Sequence, residues 1–404
     1  MWGKCGSEVK MKQHKRPIFT GIIILLLLII SCRKPTCPSE QGPVTLWTRT
    51  FGGTGYDNGS SVQQTSDGGY IIVGRTTSSG AGGFDVYLIK TDANGNPSWT
   101  KTYGGENKDE GYSVQQTLDG GYIIAGRTNS FGAGGFDVYL IKTDENGDTL
   151  WTQTYGGADE ELGYLVQQTS DGGYIIAGRT NSFGIGGFDV YPIKTDNNGD
   201  ILWTKTYGGT NSDVAWSVQQ ISDGGYIIVG TTGSFGTGQR AVYLIKTDSD
   251  GNTIWTRTYG GEGLDSGHSV QQTSEGGYII TGSTSSYGSG VVDVYLIKTN
   301  ENGDTLWTKT YGGSNSDKGY NIRETSDGGY IIAGYTDSFG AGEEDVYLIK
   351  TDNNGDTDWT KTYGGTYGDI GFSVQQTSDG GYIIVGLTYS LGASLTDVYL
   401  IKIR

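Results

Sequence analysis

The stretch GYSVQQTLDGGYIIAGRTNSFGAGGFDVYLIKTDENGDTLWTQTY, residues 111–155, decides the fold. Four short runs in it are rich in Val, Ile, Tyr and Thr: GYSVQQT (111–117), YIIAGRT (122–128), DVYLIKT (137–143) and TLWTQTY (149–155). Between them lie Leu118-Asp119-Gly120-Gly121, a Ser/Gly-rich loop over 129–136, and Asp144-Glu145-Asn146-Gly147-Asp148. Such runs bounded by Gly, Asn, Asp and Ser clusters read as strands, and no segment leaves room for a helix. The unit therefore predicts four antiparallel strands, here called A to D.

The same unit recurs along the chain. The Tyr that opens strand B falls at 70, 122, 174, 226, 278, 330 and 382, and a Trp in strand D at 47, 99, 151, 203, 255, 307 and 359. The spacing is 52 throughout, and seven such units fill positions 41 to 404. A fixed period marks a repeat architecture, and four short strands per repeat predict an all-β, seven-bladed β-propeller of four-stranded antiparallel blades over 46–404. The phase of the repeat predicts closure. The chain opens on a D strand, Leu46 to Thr50, and ends on a C strand, Asp397 to Ile403, so the N-terminal strand is expected to complete the last blade. An open stack would need distinct polar caps, and the terminal units look like the middle ones.

Segments such as TYGGENKDEGYSVQQTLDGGYIIAGRT (102–128) resemble the bacterial seven-bladed β-propeller repeat family, and are similar also to delta-60 type propeller repeats. Both carry an acid after Gly-Gly, a turn with Asp-Gly, and an apolar strand ending in Gly. The resemblance covers 46–404 and implies a fold rather than an activity, since these repeats occur in secreted and surface proteins of mostly unassigned role.

The acidic turn at 144–148 invites comparison with a calcium loop. An EF-hand needs Gly at its sixth position and a bidentate Glu at its twelfth. Here Gly147 is fourth and Tyr155 twelfth, and the sister turns exchange acids for amides at Asn96, Asn252 and Asn300. The recurring element is Asn-Gly or Asp-Gly, which predicts a type I′ hairpin turn with both central residues at positive φ. The strand D tryptophans follow at a spacing that resembles the tryptophan-docking repeats of quinoprotein dehydrogenases; the packing reading is one Trp per blade in a symmetric core.

Two further rings emerge at the same period. Asp57, Asp109, Glu161, Asp213, Asp265, Asp317 and Asp369 stand between strands D and A. As a candidate ligand or cation ring they would point at the central channel; as structural acids each would accept N–H bonds within its own loop. Just after them come Tyr112, Tyr164, Trp216, Tyr320 and Phe372, with Ser60 and His268 completing the set. These are candidate aromatic contacts for a cationic or sugar ligand, or wedges between blades. Lys90 and its six equivalents close strand C and are read as local ion pairs beside the acidic turns. Pro192 replaces a strand C Leu and should weaken its blade.

The first forty residues differ from the rest. Lys12, Lys15 and Arg16 precede GIIILLLLII (21–30) and Ser31-Cys32. This layout predicts a signal peptide over 1–31. Ile29-Ile30-Ser31-Cys32 resembles a bacterial lipobox, which implies acylation of Cys32, a tether over 32–45, and membrane anchoring in the bacterial envelope, at the outer membrane or cell surface. Met1 and Met11 both remain candidate starts. Without 1–31 the chain keeps 23 basic and 43 acidic residues, a net of −20, and its two remaining cysteines, Cys32 and Cys37, both lie in the tether. The acidic balance argues against a nucleic-acid partner.

No catalytic triad, His/Cys/Asp cluster or phosphate loop is found, so neither a cofactor nor a metal is expected. The copies differ chiefly in the D–A and B–C loops, which an up-and-down blade puts on one face. Variable loops on a rigid scaffold are where binding resides. The expectation is a monomeric, non-catalytic binding or scaffold propeller with a protein or glycan partner on that face. The alternatives are an enzyme with a quinoprotein-like or glycan-cleaving site at the channel mouth, and a purely structural envelope component. An enzyme would need asymmetric polar residues that converge, for which Gln239-Arg240 and Arg323-Glu324 are the candidates.

Overall fold

Strands B and C, such as YIIVG and DVYLI, are apolar almost without alternation, so a sheet built from them must bury both faces. The computed structural model of the chain, which describes residues 42–392 and 395–404, shows how it does so. The expected signal segment and Cys32 lie outside the described residues. Among those residues are 28 strands and no helix, in seven four-stranded antiparallel sheets. Blade one is β2 (Asp57–Gln64), β3 (Tyr70–Thr76), β4 (Asp85–Thr91) and β5 (Pro97–Tyr103). The order repeats as β6–β9 (109–155), β10–β13 (161–204), β14–β17 (213–259), β18–β21 (265–311) and β22–β25 (317–363). Blade seven is β26 (Asp369–Gln376), β27 (Tyr382–Thr388) and β28 (Asp397–Ile403), completed by β1 (Thr45–Phe51). The first strand thus closes the ring, and Val44 and Arg404 exchange backbone hydrogen bonds at 2.7 and 2.9 Å beyond the paired residues.

The core lies between blades. Ile71, Val73, Val86 and Leu88 of blade one pack on Val114, Tyr122, Ile124 and Ile141 of blade two. Trp99 meets Tyr122 edge-on with centroids 6.0 Å apart. Its ring also covers Gly147 in the next blade, where an added Cβ would fall 2.8 Å from the indole, and Tyr103 donates to the Gly147 carbonyl at 2.7 Å. The strand D tryptophans are therefore inter-blade packing, which a symmetric ring needs on every blade.

Strands B, C and D of the second blade match their expected bounds. Strand A begins two residues earlier than expected, at Asp109, because that residue already pairs with Thr128. The C–D turn also differs from expectation. Among the described residues no non-glycine has positive φ, and Gly147 alone in its turn does (77°). The turn is a three-residue loop ending in a left-handed Gly. Asp144 stabilises it by accepting the N–H groups of Asn146 and Asp148 at 2.9 and 2.8 Å. Asn300 does the same at 2.9 Å to both equivalent N–H groups, which is why an amide replaces the acid freely.

The strand C lysines also have a different partner from the one expected. Lys90 reaches Asp67 of its own A–B turn at 2.8 Å, not the C–D turn, and the pattern recurs from Lys142–Asp119 to Lys402–Asp379. At Pro192 the pairing of strands C and D is shortened. The proline lacks the N–H that strand D needs, and β13 (Ile201–Thr204) has four residues where its sisters have seven.

Candidate functional site

The inner strand of every blade lines a central cavity of 620 Å³. Strand A carries a β-bulge at one place in all seven blades. In β2 the pairing shifts between Gly59 and Ser61 and leaves Ser60 as the extra residue, and β6 does the same around Tyr112. A bulge re-aims a side chain, and this one turns the aromatic position into the channel. The residue before it must be small: a Cβ on Gly111 would stand 2.5 Å from a Val73 methyl carbon.

The aromatics form a collar. Ring centroids lie 5.5 Å apart for Tyr112–Tyr164, 4.4 Å for Tyr164–Trp216, 6.0 Å for Trp216–His268, 5.3 Å for His268–Tyr320 and 5.4 Å for Tyr320–Phe372. The collar lapses at Ser60, between Phe372 and Tyr112. His268 Nδ1 donates to the Gly319 carbonyl at 2.8 Å. Burial pushes its pKa down to about 4, with Lys318 adding to the effect, so the imidazole is neutral.

Farther along strand A, side chains tie neighbouring blades together. Ser113 Oγ accepts the Val166 N–H at 3.2 Å, and Gln115 Oε1 accepts the Gln168 N–H at 2.6 Å. Six glutamines occupy the position of Gln115 around the ring, and Arg323 is the seventh residue of that set.

The seven acids, which open strand A, are wholly buried, but none of them lines this cavity. Asp109 accepts the Gly105 N–H at 2.8 Å and the Ser130 hydroxyl at 2.7 Å; Asp213 does the same with Gly209 and Ser234 at 2.9 and 2.6 Å. Glu161 reaches Gly157, Thr180 and Ser182 at 2.7, 2.6 and 2.9 Å. Asp57, Asp265, Asp317 and Asp369 each accept the corresponding Gly N–H at 2.8–2.9 Å. Acids and aromatics are near in sequence, yet the bulge sends them to different places.

A second set of acids was not singled out from the sequence. Asp85, Asp137, Asp189, Asp293, Asp345 and Asp397 open strand C, with Ala241 as the seventh. Burial, and then the neighbouring loop acid, raise the pKa of Asp85, Asp137 and Asp189. The constant spacing of 52 was the available signal for them. Among the described residues no group of three or more His, Cys, Asp or Glu is arranged to hold a metal ion.

Asymmetry is concentrated in blades one to three. Arg75, Arg127 and Arg179 occupy one position of strand B, where the other blades have Thr231, Ser283, Tyr335 and Leu387. Each guanidinium lies over a Phe that ends the B–C loop: Phe84, Phe136 and Phe188, at 4.5, 4.1 and 4.0 Å. Buried Glu110 meets Arg75 at 2.9 Å and Arg127 at 2.6 Å, and Tyr112 donates to it at 2.9 Å. Burial opposes ionisation of Glu110, but the two arginines hold its carboxyl below the usual range. Comparing the copies position by position within strand B, rather than only in the loops, would have exposed this cluster. The two pairs proposed from the sequence stay apart: Arg240 is exposed on a B–C loop, and Arg323 faces the channel.

The D–A and B–C loops share one face. Asp109 N–H bonds the Phe84 carbonyl at 2.6 Å, and Asn129 N–H bonds that of Lys108 at 2.9 Å. On that face Phe131, Phe183, Phe235, Tyr287 and Phe339 stand 42–48% exposed, with Ser79 at the same place in blade one.

No family model matches the chain. Among curated proteins it is 27% identical over 206 residues to the regulatory protein FlaEY of Caulobacter vibrioides, a match to 44% of this chain. That match spans 21% of the length of FlaEY. Among solved structures it is similar to the Pan2 WD40 domain of Neurospora crassa (TM-score 0.53, 11% identity, 86% of this chain and 89% of that chain). It is also similar to Sqt1 of Chaetomium thermophilum (TM-score 0.50, 13% identity, 85% and 83%). At these identities the likeness is one of fold alone.

Proposed function

We propose that the protein is a non-catalytic binding or scaffold propeller of the bacterial envelope. It is held at the membrane by lipid on Cys32 and takes a protein or glycan partner on the face built by the D–A and B–C loops. The observation that carries this reading is the contrast between faces. The A–B and C–D turns are nearly uniform, whereas the D–A and B–C loops differ from blade to blade and expose a ring of aromatics. Half-exposed aromatics on rigid supports suit both sugar stacking and protein contact.

The test compares two triple variants on a glycan array and in cross-linking to isolated envelope. One carries Phe131→Ala, Phe183→Ala and Phe339→Ala on the loop face. The other carries Leu118→Ala, Leu150→Ala and Leu306→Ala, exposed elsewhere. The reading expects binding to be lost in the first and kept in the second. Equal binding by both would refute it. Mass spectrometry of the exported chain, with Cys32→Ala as control, tests the anchor.

A further inference from the structure

The charge of the molecule reverses inside its channel. The chain carries a formal −16, yet the ionic side chains that line the cavity are Arg75, Arg127, Arg323 and a single acid, Glu110. Glu110 is already shared by Arg75 and Arg127. Arg323 makes no ion pair among the described residues; its Nη1 donates to the Ile322 carbonyl at 3.1 Å.

Its position gives that charge meaning. In the six sister blades a Gln stands there and accepts a backbone N–H from the following blade, as Gln271 does from Glu324 at 2.8 Å. A guanidinium has no acceptor to offer. The exchange forfeits one bond of the ring and leaves most of a planar donor fork facing the cavity. Such a fork matches a carboxylate. Beyond it the collar supplies flat apolar walls, and the break at Ser60 leaves room on one side of the ring. The 620 Å³ volume falls in the range of about 300–1,000 Å³ usual for small-molecule sites. A positive channel in an acidic protein concentrates anions.

We propose that the channel is a binding site for a small organic carboxylate with a flat ring body. Its carboxylate sits on Arg323, and its ring lies among Tyr164, Trp216 and Tyr320. This site is separate from the loop face and does not depend on the partner proposed there.

The test is calorimetric titration of the detergent-solubilised whole chain with 1-naphthoate, with 1-naphthamide as the uncharged isostere. Arg323→Gln restores the residue of the six sister blades, so its melting temperature should equal or exceed that of the parent. The expected result is saturable binding of naphthoate, weakened about tenfold or more by Arg323→Gln, as for loss of a charged hydrogen bond, with naphthamide weak in both. Ser60→Phe, which closes the collar, should lower naphthoate affinity. The loop-face alanines should leave it unchanged. Absence of saturable naphthoate binding, equal affinity in the parent and Arg323→Gln, or naphthamide binding as tightly as naphthoate would each overturn the proposal.

Discussion

Asp144 shows how much a single side chain can settle locally. Its carboxylate accepts two N–H groups of its own turn. Asp144→Asn should therefore be neutral in a thermal melt, while Asp144→Ala, which removes the acceptor of both bonds, should lower the melting temperature. The A–B turn acids set the acid limit of the fold. Burial alone would raise the pKa of Asp67, but Lys90, Thr65 and the Gly69 N–H lower it to about 2 from 3.8. The contribution of Asp67 is thus present above pH 3.8 and is lost as pH falls through about 2. Asp85, Asp137, Asp189 and Asp345 have the opposite sign: their pKa values are raised, so the fold gains as they protonate. Urea melts should therefore show stability rising from neutral toward mildly acidic pH, then collapsing below 3.8. A steady fall from neutral pH downward would contradict these assignments. The period placed Asp144 and the A–B turn acids in their turns and left the strand C acids unnoticed, and it gave no partner for Asp67, because a partner more than twenty residues away, such as Lys90, is set by sheet register.

At the scale of the element, β13 is the test of what a missing N–H costs. Pro192→Leu restores both the donor and the residue of the other blades. It should lengthen β13 toward seven residues and raise stability by roughly 0.5–1.5 kcal/mol in a denaturant titration. An unchanged midpoint would mean that the short strand has another cause. In the second blade strands B, C and D were legible to the residue because dense Ile, Val, Tyr and Thr runs end at Gly-rich or Asp-rich turns. The bulge in strand A was not legible. It depends on a small residue, Gly111 or its equivalents, passing a Val of the preceding blade, and that contact crosses a blade boundary. Acids and aromatics three residues apart therefore end in different places, the acids against their D–A loops and the aromatics at the channel. The Arg75, Arg127 and Glu110 cluster escaped for a similar reason, since its members come from strands of two blades.

For the whole molecule, the ring makes every blade depend on its neighbours, and the loop face and the channel both exist only if it closes. Closure rests on β1, six of whose seven residues pair with β28 and which carries Trp47 onto Tyr70 at 6.0 Å. The decisive measurement is a thermal melt of a chain beginning at Gly52, alone and with a peptide of residues 42–51 added. Without β1, blade seven loses an edge and the Trp47 contact, at a cost of at least about 3 kcal/mol, and the melting temperature should fall by roughly 5 °C or more. The peptide should restore it in a concentration-dependent way. A truncated chain that melts like the parent, indifferent to the peptide, would contradict a ring closed by its first strand.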